Sequence, residues 1–274
     1  MMAFASLLSL FFVLAGAVTF RLGLLPFGIS FSTFGLGLLA CALVSMTAGA
    51  LIFRRLARKQ RLATLPLWLV LCLLPVLAVV NQVGLAGFQA PAIHDISTDL
   101  DRPPAFVFAQ AERGPQDNTL QYGGASLADQ QRLAYPQLAP LHLSADKAEV
   151  WAAAKALIAA NHWRVLGEDK SRGHIEAVAT TRVMGFADDI VIRISADTAT
   201  SKGVRAKGVR AKGVRAKAVP TKTAGENSDQ EKTAAVEKLI VDVRSVSRVG
   251  VSDLGANAAR IESFLVALQR QLKK

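Results

Sequence analysis

Val241-Asp-Val-Arg-Ser-Val-Ser-Arg-Val-Gly-Val-Ser-Asp-Leu-Gly-Ala-Asn257 is the stretch that decides the fold. Its first half alternates apolar and polar residues, which predicts a β-strand with one face buried. Gly250 permits a tight turn, and Ser252 or Asp253 is a suitable first residue for a helix. The stretch therefore predicts a strand-turn-helix corner, and it carries a dense set of polar and charged groups.

The elements before this corner predict a small α+β domain over residues 141–274. Hydrophobic periodicity predicts a strand at 141–143, a helix from Ser144 to Asn161, strands at 163–168, 174–180, 189–196 and 238–249, and a last helix from Ser252 or Asp253. Short connections favour an antiparallel sheet in β-α-β-β-β-β-α order with both helices on one face. That order is similar to the TATA-binding-protein-like and helix-grip folds, a fold-level analogy that implies no DNA binding.

Alternation along the strands also predicts which residues share a face of the sheet. Residues such as Ile192 and Val243 should face the helices. Their neighbours should form an ionic ladder on the opposite face, made of Glu176, Arg193, Asp242 and Arg244.

Three uncharged runs precede the domain, at Ala3–Phe20, Phe31–Phe53 and Leu62–Phe88. Each reaches the roughly 18–20 apolar residues that a helix needs to cross a bilayer, so residues 1–89 are predicted to form three transmembrane helices. A cleaved signal peptide is the alternative for the first run, which lacks the positive start typical of such peptides.

The loop Arg54–Arg61 carries five positive charges, whereas only Arg21 separates the first two runs. The positive-inside rule then places this loop and the N-terminus in the cytoplasm. The domain is accordingly expected in the periplasm of a bacterium, anchored in the inner membrane. A docking patch for anionic lipid is the alternative interpretation of the basic loop.

The formal net charge of +11 is unevenly distributed. Residues 1–89 hold six basic and no acidic residues, and residues 201–233 hold nine basic against three acidic. The latter segment contains three copies of Lys-Gly-Val-Arg-Ala within 202–217 and is predicted to be a low-complexity insertion at about 200–233. Without an aromatic residue for base stacking, it does not favour nucleic-acid binding.

Residues 90–140 are rich in proline and are predicted to form an extended arm with one or two short strands at most. The two cysteines, Cys41 and Cys72, both lie in apolar runs, which excludes a disulfide framework in the domain. The four histidines show no familiar metal-ligand spacing, so neither a metal nor another cofactor is predicted.

Candidate binding residues cluster around the corner, and two interpretations of them stay open. In one, Arg244 and Arg248 pair with carboxylates as an internal brace; in the other, they form an anion pocket with a helix N-terminus. No catalytic residue is assigned, because the serines lack a Gly-x-Ser-x-Gly elbow and a nearby histidine. The candidates are Asp188, Asp189, Arg193, Arg244, Ser247, Arg248, Ser252, Asp253 and Asn257.

Five segments together resemble the family called domain of unknown function 1499, which occurs in bacteria and in plant plastids. They are Ile93–Asp99, Tyr135-Pro136, Ile175–Ala177, Gly185–Arg193 and Val241–Asn257. The resemblance covers roughly residues 91–198 and 236–270. It implies a shared fold and adds no activity, and the repeat departs from it.

We therefore expect a bilayer-anchored, non-enzymatic binding or scaffolding module for an envelope protein or a small anionic ligand. The alternative is an envelope hydrolase that uses the serine and acidic residues of the corner.

Overall fold

A computed structural model describes residues 1–197 and 237–273. It begins with three helices, α1 (Met2–Arg21), α2 (Phe27–Ala57) and α3 (Leu65–Gly87). All three are apolar and long enough to cross a membrane, which confirms the prediction of three such helices in this part of the chain. The predicted repeat insertion lies outside the described residues.

Glycines bring α1 and α2 close together. A Cβ atom on Gly16 would lie 2.5 Å from the backbone nitrogen of Phe34, and one on Gly37 would lie 2.5 Å from that of Val13. Small residues at such contacts let helix backbones approach within a bilayer, where burial from water contributes little. The backbones of α1 and α2 are therefore in close contact at these two glycines.

The rest of the described chain forms one α+β domain. Its elements in order are β1 (Asp95–Ser97), a 3₁₀ turn (Ala109–Glu112), α4 (Gly124–Ala134), β2 (Leu141–Ala145), α5 (Lys147–Ala160), β3 (Arg164–Asp169), β4 (His174–Thr180), β5 (Ala187–Ala196), β6 (Glu237–Ser247) and α6 (Ala256–Gln271). From β2 onward this is the predicted β-α-β-β-β-β-α order, which is confirmed.

The sheet is antiparallel, in the order β1-β6-β5-β4-β3. The long strand β6 is central: β5 pairs along one side, and β1 and β2 share the other side. Thus the arm (residues 90–140) contributes a strand to the domain's own sheet. The arm also contains the short helix α4, which has few large apolar residues and was not predicted from the sequence.

The two faces of the sheet are covered differently. On one face, the predicted apolar residues such as Ile192 and Val243 pack against α5 and α6 through residues such as Phe264. On the other face, the arm crosses the strands and buries Phe106 and Ala109 against the sheet. A carboxylate fixes this crossing: Glu176 is fully buried and accepts hydrogen bonds from three successive backbone N–H groups, those of residues 107–109.

Two helix starts differ from the prediction. Asp146, not Ser144, caps α5, because its Oδ1 accepts from the backbone N–H groups of Ala148 and Glu149 and Ser144 belongs to β2. Helix α6 begins at Ala256, because Leu254 (φ 51°) and Gly255 (φ 80°) hold left-handed conformations that no helix accommodates.

Candidate functional site

The strand-turn-helix corner lies where the domain meets the membrane helices. A Cβ atom on Gly87, the last residue of α3, would lie 2.6 Å from the carbonyl oxygen of Leu254. Beside it, the β4–β5 loop (residues 181–186) reaches α1 and α2. Phe186 of this loop packs against Phe20 and Phe27, with ring centroids 5.1 and 5.6 Å away.

The nine candidate residues do not form one site, because the sheet separates them. Asp189, Arg193, Arg244 and Arg248 interact on the arm face. The others lie on the helix face or in the corner itself: Asp188, Ser247, Ser252, Asp253 and Asn257. The anion-pocket interpretation requires Arg244 and Arg248 to lie together with the N-terminus of α6. The two arginines instead bond on the arm face of the sheet.

Arg244 is the centre of the first arm-face brace. Its guanidinium donates to both carboxylate oxygens of Asp95, at 2.9 and 2.8 Å, and to the carbonyl oxygens of Pro104 and Leu120. It lies between the rings of Phe106 and Tyr122, 5.2 and 5.3 Å from their centroids. With Arg244 only 2 % exposed, this ion pair holds the arm to the sheet.

A second brace surrounds the buried carboxylate of Asp189. Arg113 of the arm donates to its Oδ2 at 2.7 Å, and Arg248 donates to its Oδ1 at 2.7 Å. Glu112 then joins Arg248 to Arg164 of β3. The hydrogen bond from Arg164 lowers the pKa of Glu112 to about 2. Each of these charged groups therefore has a partner of opposite charge. The network links the arm to β3, to β5 and to the residue that follows β6.

Arg193 makes a third brace, in which its guanidinium donates to Asp242 at 2.8 Å and to Asp99 of the arm at 2.9 Å. Of the predicted ionic ladder, the pair of Arg193 and Asp242 is therefore present. Arg244 and Glu176 instead bond to the arm, which the sequence did not indicate.

On the helix face, Asp188 accepts from Arg260 of α6 at 2.6 Å. Asn257 donates to the hydroxyl of Ser247 at 2.9 Å and accepts from Ser245 at 2.6 Å. An amide cannot take a proton from serine at neutral pH, so this arrangement positions Ser247 without activating it. It joins α6 to β6 as a structural network.

Asp253 lies two residues before Gly255, the N-cap of α6, and accepts hydrogen bonds from backbone N–H groups at the start of this helix. One of its oxygens accepts from the backbone N–H of Gly255 and the other from that of Asn257, both at 2.8 Å. Burial raises the pKa of its carboxyl, and these two hydrogen bonds oppose the rise. Within residues 1–197 and 237–273, Asp253 forms no salt bridge.

Four of the candidates line a cavity of about 430 Å³, here called the junction cavity. They are Asp188, Ser247, Ser252 and Asp253, and with them lie Thr181 and Phe186 of the β4–β5 loop, Phe27 and Phe31 of α2, residues 249–251 and 254 of the corner, and Ala256. The sequence did not indicate the aromatic members. The spacing of Phe27 and Phe31 places them one helical turn apart, but nothing local shows that a β-hairpin loop folds onto them.

A second cavity of about 590 Å³, more open to solvent, lies over the arm face and is lined by residues of segments 103–106 and 110–122 and by Arg244. The Tyr122 hydroxyl is buried and has no hydrogen-bond partner in the described part of the chain. Burial, with the nearby Asp95 charge, raises the pKa of Tyr122 to about 12. This cavity is therefore lined by the uncharged hydroxyl of Tyr122 and by Arg244, whose guanidinium is already paired with Asp95.

Among the described residues, no group of three or more histidine, cysteine, aspartate or glutamate side chains is placed to hold a metal ion.

Comparison with known proteins identifies a family for this chain but no individual relative. Neither a curated protein nor a solved structure matches the chain. A family model does match, over residues 95–208 and 218–268, and its interruption falls within the Lys-Gly-Val-Arg-Ala repeat. Because this match spans more than half of the chain and includes most of the arm and the whole corner, the chain belongs to the family described as protein of unknown function (DUF1499).

Proposed function

We propose that this protein is a membrane-anchored, non-catalytic binding module whose ligand site is the junction cavity. One observation carries the proposal: aromatic residues from α2 and the β4–β5 loop enclose the corner's polar residues in about 430 Å³. Volumes of roughly 300–1,000 Å³ with mostly apolar linings and a few placed polar groups are typical of small-molecule sites.

The orientation of the protein is part of this proposal. Helix α2 ends at the basic loop Arg54–Arg61, whereas the other end of α2, with Phe27, contacts the domain. Positive loops favour the cytoplasmic side, which supports a domain in the periplasm of a bacterial inner membrane. The ligand would then come from the membrane or the envelope.

The corner's contacts favour binding over hydrolysis. Ser247 receives its hydrogen bond from an amide, and Asp188 is paired with Arg260. A serine nucleophile needs a base that can accept its proton, so the hydrolase alternative has no geometric support. The prediction of a small anionic ligand rested on Arg244 and Arg248, and both are paired with carboxylates. The largely apolar lining of the junction cavity favours an apolar ligand instead.

Binding of an apolar fluorescent probe, N-phenyl-1-naphthylamine, to the full chain in maltoside micelles tests the site. We expect saturable fluorescence above that of empty micelles. Ala256→Phe should abolish it, because Ala256 lines the cavity. Ala259→Phe is the matched control, since Ala259 is also exposed on α6 but is not among the lining residues. Equal signals from all three proteins would refute the proposal.

A further inference from the structure

The junction cavity continues toward the membrane. A smaller cavity of about 90 Å³ adjoins it and shares Phe31, Thr181, Phe186 and Leu254 with it. The smaller cavity is also lined by Phe34 of α2 and by Val79, Gln82 and Val83 of α3, so among the described residues Gln82 is the one polar side chain that α3 contributes. From Phe27 to Phe34 the helix rises about 10 Å. The two cavities thus form an apolar track from the corner down between α2 and α3.

The residues around the upper end of this track belong at a lipid surface. Val251 of the corner is 76 % exposed, and Phe88, just after α3, is 56 % exposed. In water such apolar exposure next to transmembrane helices is unfavourable, whereas at the boundary of headgroups and acyl chains it is favourable. The corner therefore sits at the membrane surface, where lipid chains are within reach of the track.

The charges around the track are separated by sign. Among the described residues, the junction cavity's lining contains two carboxylates, Asp188 and Asp253, and no lysine, arginine or histidine. Arg260 pairs with Asp188, and Asp253 forms no salt bridge in the described chain, although the charge of Arg260 also acts on it. A carboxylate has about four lone-pair positions, and backbone N–H groups occupy two of those on Asp253. The remaining positions can receive an ammonium group.

Two cationic groups lie on and beside the β4–β5 loop. Arg21 at the end of α1 donates to the carbonyl oxygens of Arg182 and Val183, and Arg182 itself is exposed. Neither arginine forms a salt bridge with the rest of the described chain. Arginine at a membrane surface is well suited to bind a phosphate.

From this arrangement we infer that the junction cavity binds a phospholipid with a primary-ammonium headgroup, taken from the surrounding bilayer. One acyl chain occupies the apolar track along α2. The ammonium group lies beside Asp253, and the phosphate lies toward Arg21 and Arg182. The inference rests on the proposed function and names its ligand.

Lipid retention by the full chain tests this inference. The protein is incorporated into nanodiscs with equal amounts of phosphatidylethanolamine and phosphatidylglycerol, released into detergent, and examined by native mass spectrometry. We expect one phosphatidylethanolamine per wild-type chain, retained at least about tenfold over phosphatidylglycerol, equivalent to about 1.4 kcal/mol. Ala256→Phe should lose the lipid, and Ala259→Phe should retain it.

Asp253→Asn tests the headgroup contact, because the amide oxygen still accepts one backbone hydrogen bond while the charge is removed. The preference for phosphatidylethanolamine should then disappear, while the exposed control Asp129→Asn keeps it. Equal retention of both lipids by the wild type would overturn the headgroup assignment. Loss of all lipid from a wild-type protein that still binds the naphthylamine probe would overturn the lipid inference alone. Loss of probe binding as well would overturn the proposed function.

Discussion

Replacement of Arg244 by methionine tests whether the arginines of the corner are structural. Asp95 is only 4 % exposed and receives two hydrogen bonds from Arg244. Without the guanidinium, this carboxylate remains buried without its donor, and the carbonyl oxygens of Pro104 and Leu120 lose theirs. Removing one partner of a buried ion pair costs about 3–5 kcal/mol.

For a domain of this size, each kcal/mol lowers Tm by roughly 2–4 °C, so Arg244→Met should lower it by roughly 6–20 °C. The measurement is the thermal transition of the full chain in detergent, followed by tryptophan fluorescence, since Trp151 and Trp163 lie in the domain. Arg132→Met is the control: its pair with Asp129 is exposed, and exposed pairs contribute about 0–1 kcal/mol.

A double variant separates lost charge pairing from lost packing. Arg244→Met combined with Asp95→Leu leaves neither charge buried alone, so it should be more stable than Arg244→Met by itself. If Arg244→Met shifts Tm no more than Arg132→Met does, Arg244 is not a brace. The anion-pocket interpretation would then regain its main support.

Three further predictions concern topology, the insertion and pH. Alkaline phosphatase fused after Phe88 should be active, because the basic loop favours a periplasmic domain; an inactive fusion beside an active cytoplasmic reporter would reverse the orientation. Deletion of residues 201–233 should leave the Tm of the domain within about 4 °C, the shift expected for no more than about 1 kcal/mol, and a larger loss would show that the segment is part of the fold. Burial opposes ionisation of Glu176, but hydrogen bonds from His174 and the arm backbone outweigh it and lower the pKa of Glu176 below its ordinary value. Its stabilising contribution is therefore complete above about pH 4.5 and is lost as the pH falls through the lowered pKa. Glu176→Gln should flatten the acid limb of a stability–pH curve, and an unchanged limb would contradict this assignment.

Local sequence patterns predicted most of the fold. The apolar runs are long enough to determine three membrane helices, and the period of two along β4, β5 and β6 determined which side chains face α5 and α6. The corner at Gly250 was also predicted, since a tight turn and a helix start are local features. The helix start itself was placed too early, because Leu254 and Gly255 have left-handed backbone conformations that the residue pattern did not indicate.

The arm and the candidate site were harder to predict, for a physical reason. Proline-rich segments have no period that reveals where they bind, and Asp95 of the arm is 149 residues from its partner Arg244. Likewise, Phe31 of α2 reaches Phe186 only because a hairpin loop packs on the membrane helices.

The sequence by itself determined the membrane helices, the order of the strands and the residues on each face. It also identified the corner as the main cluster of polar groups, because alternation, length and turn chemistry are properties of neighbouring residues. Only the tertiary structure decided that the arginines of this cluster are paired with carboxylates, Arg244 with Asp95 of the arm, and that Ser247, Ser252 and Asp253 line a cavity with aromatic residues of α2. Both outcomes depend on packing between segments that are far apart in the chain.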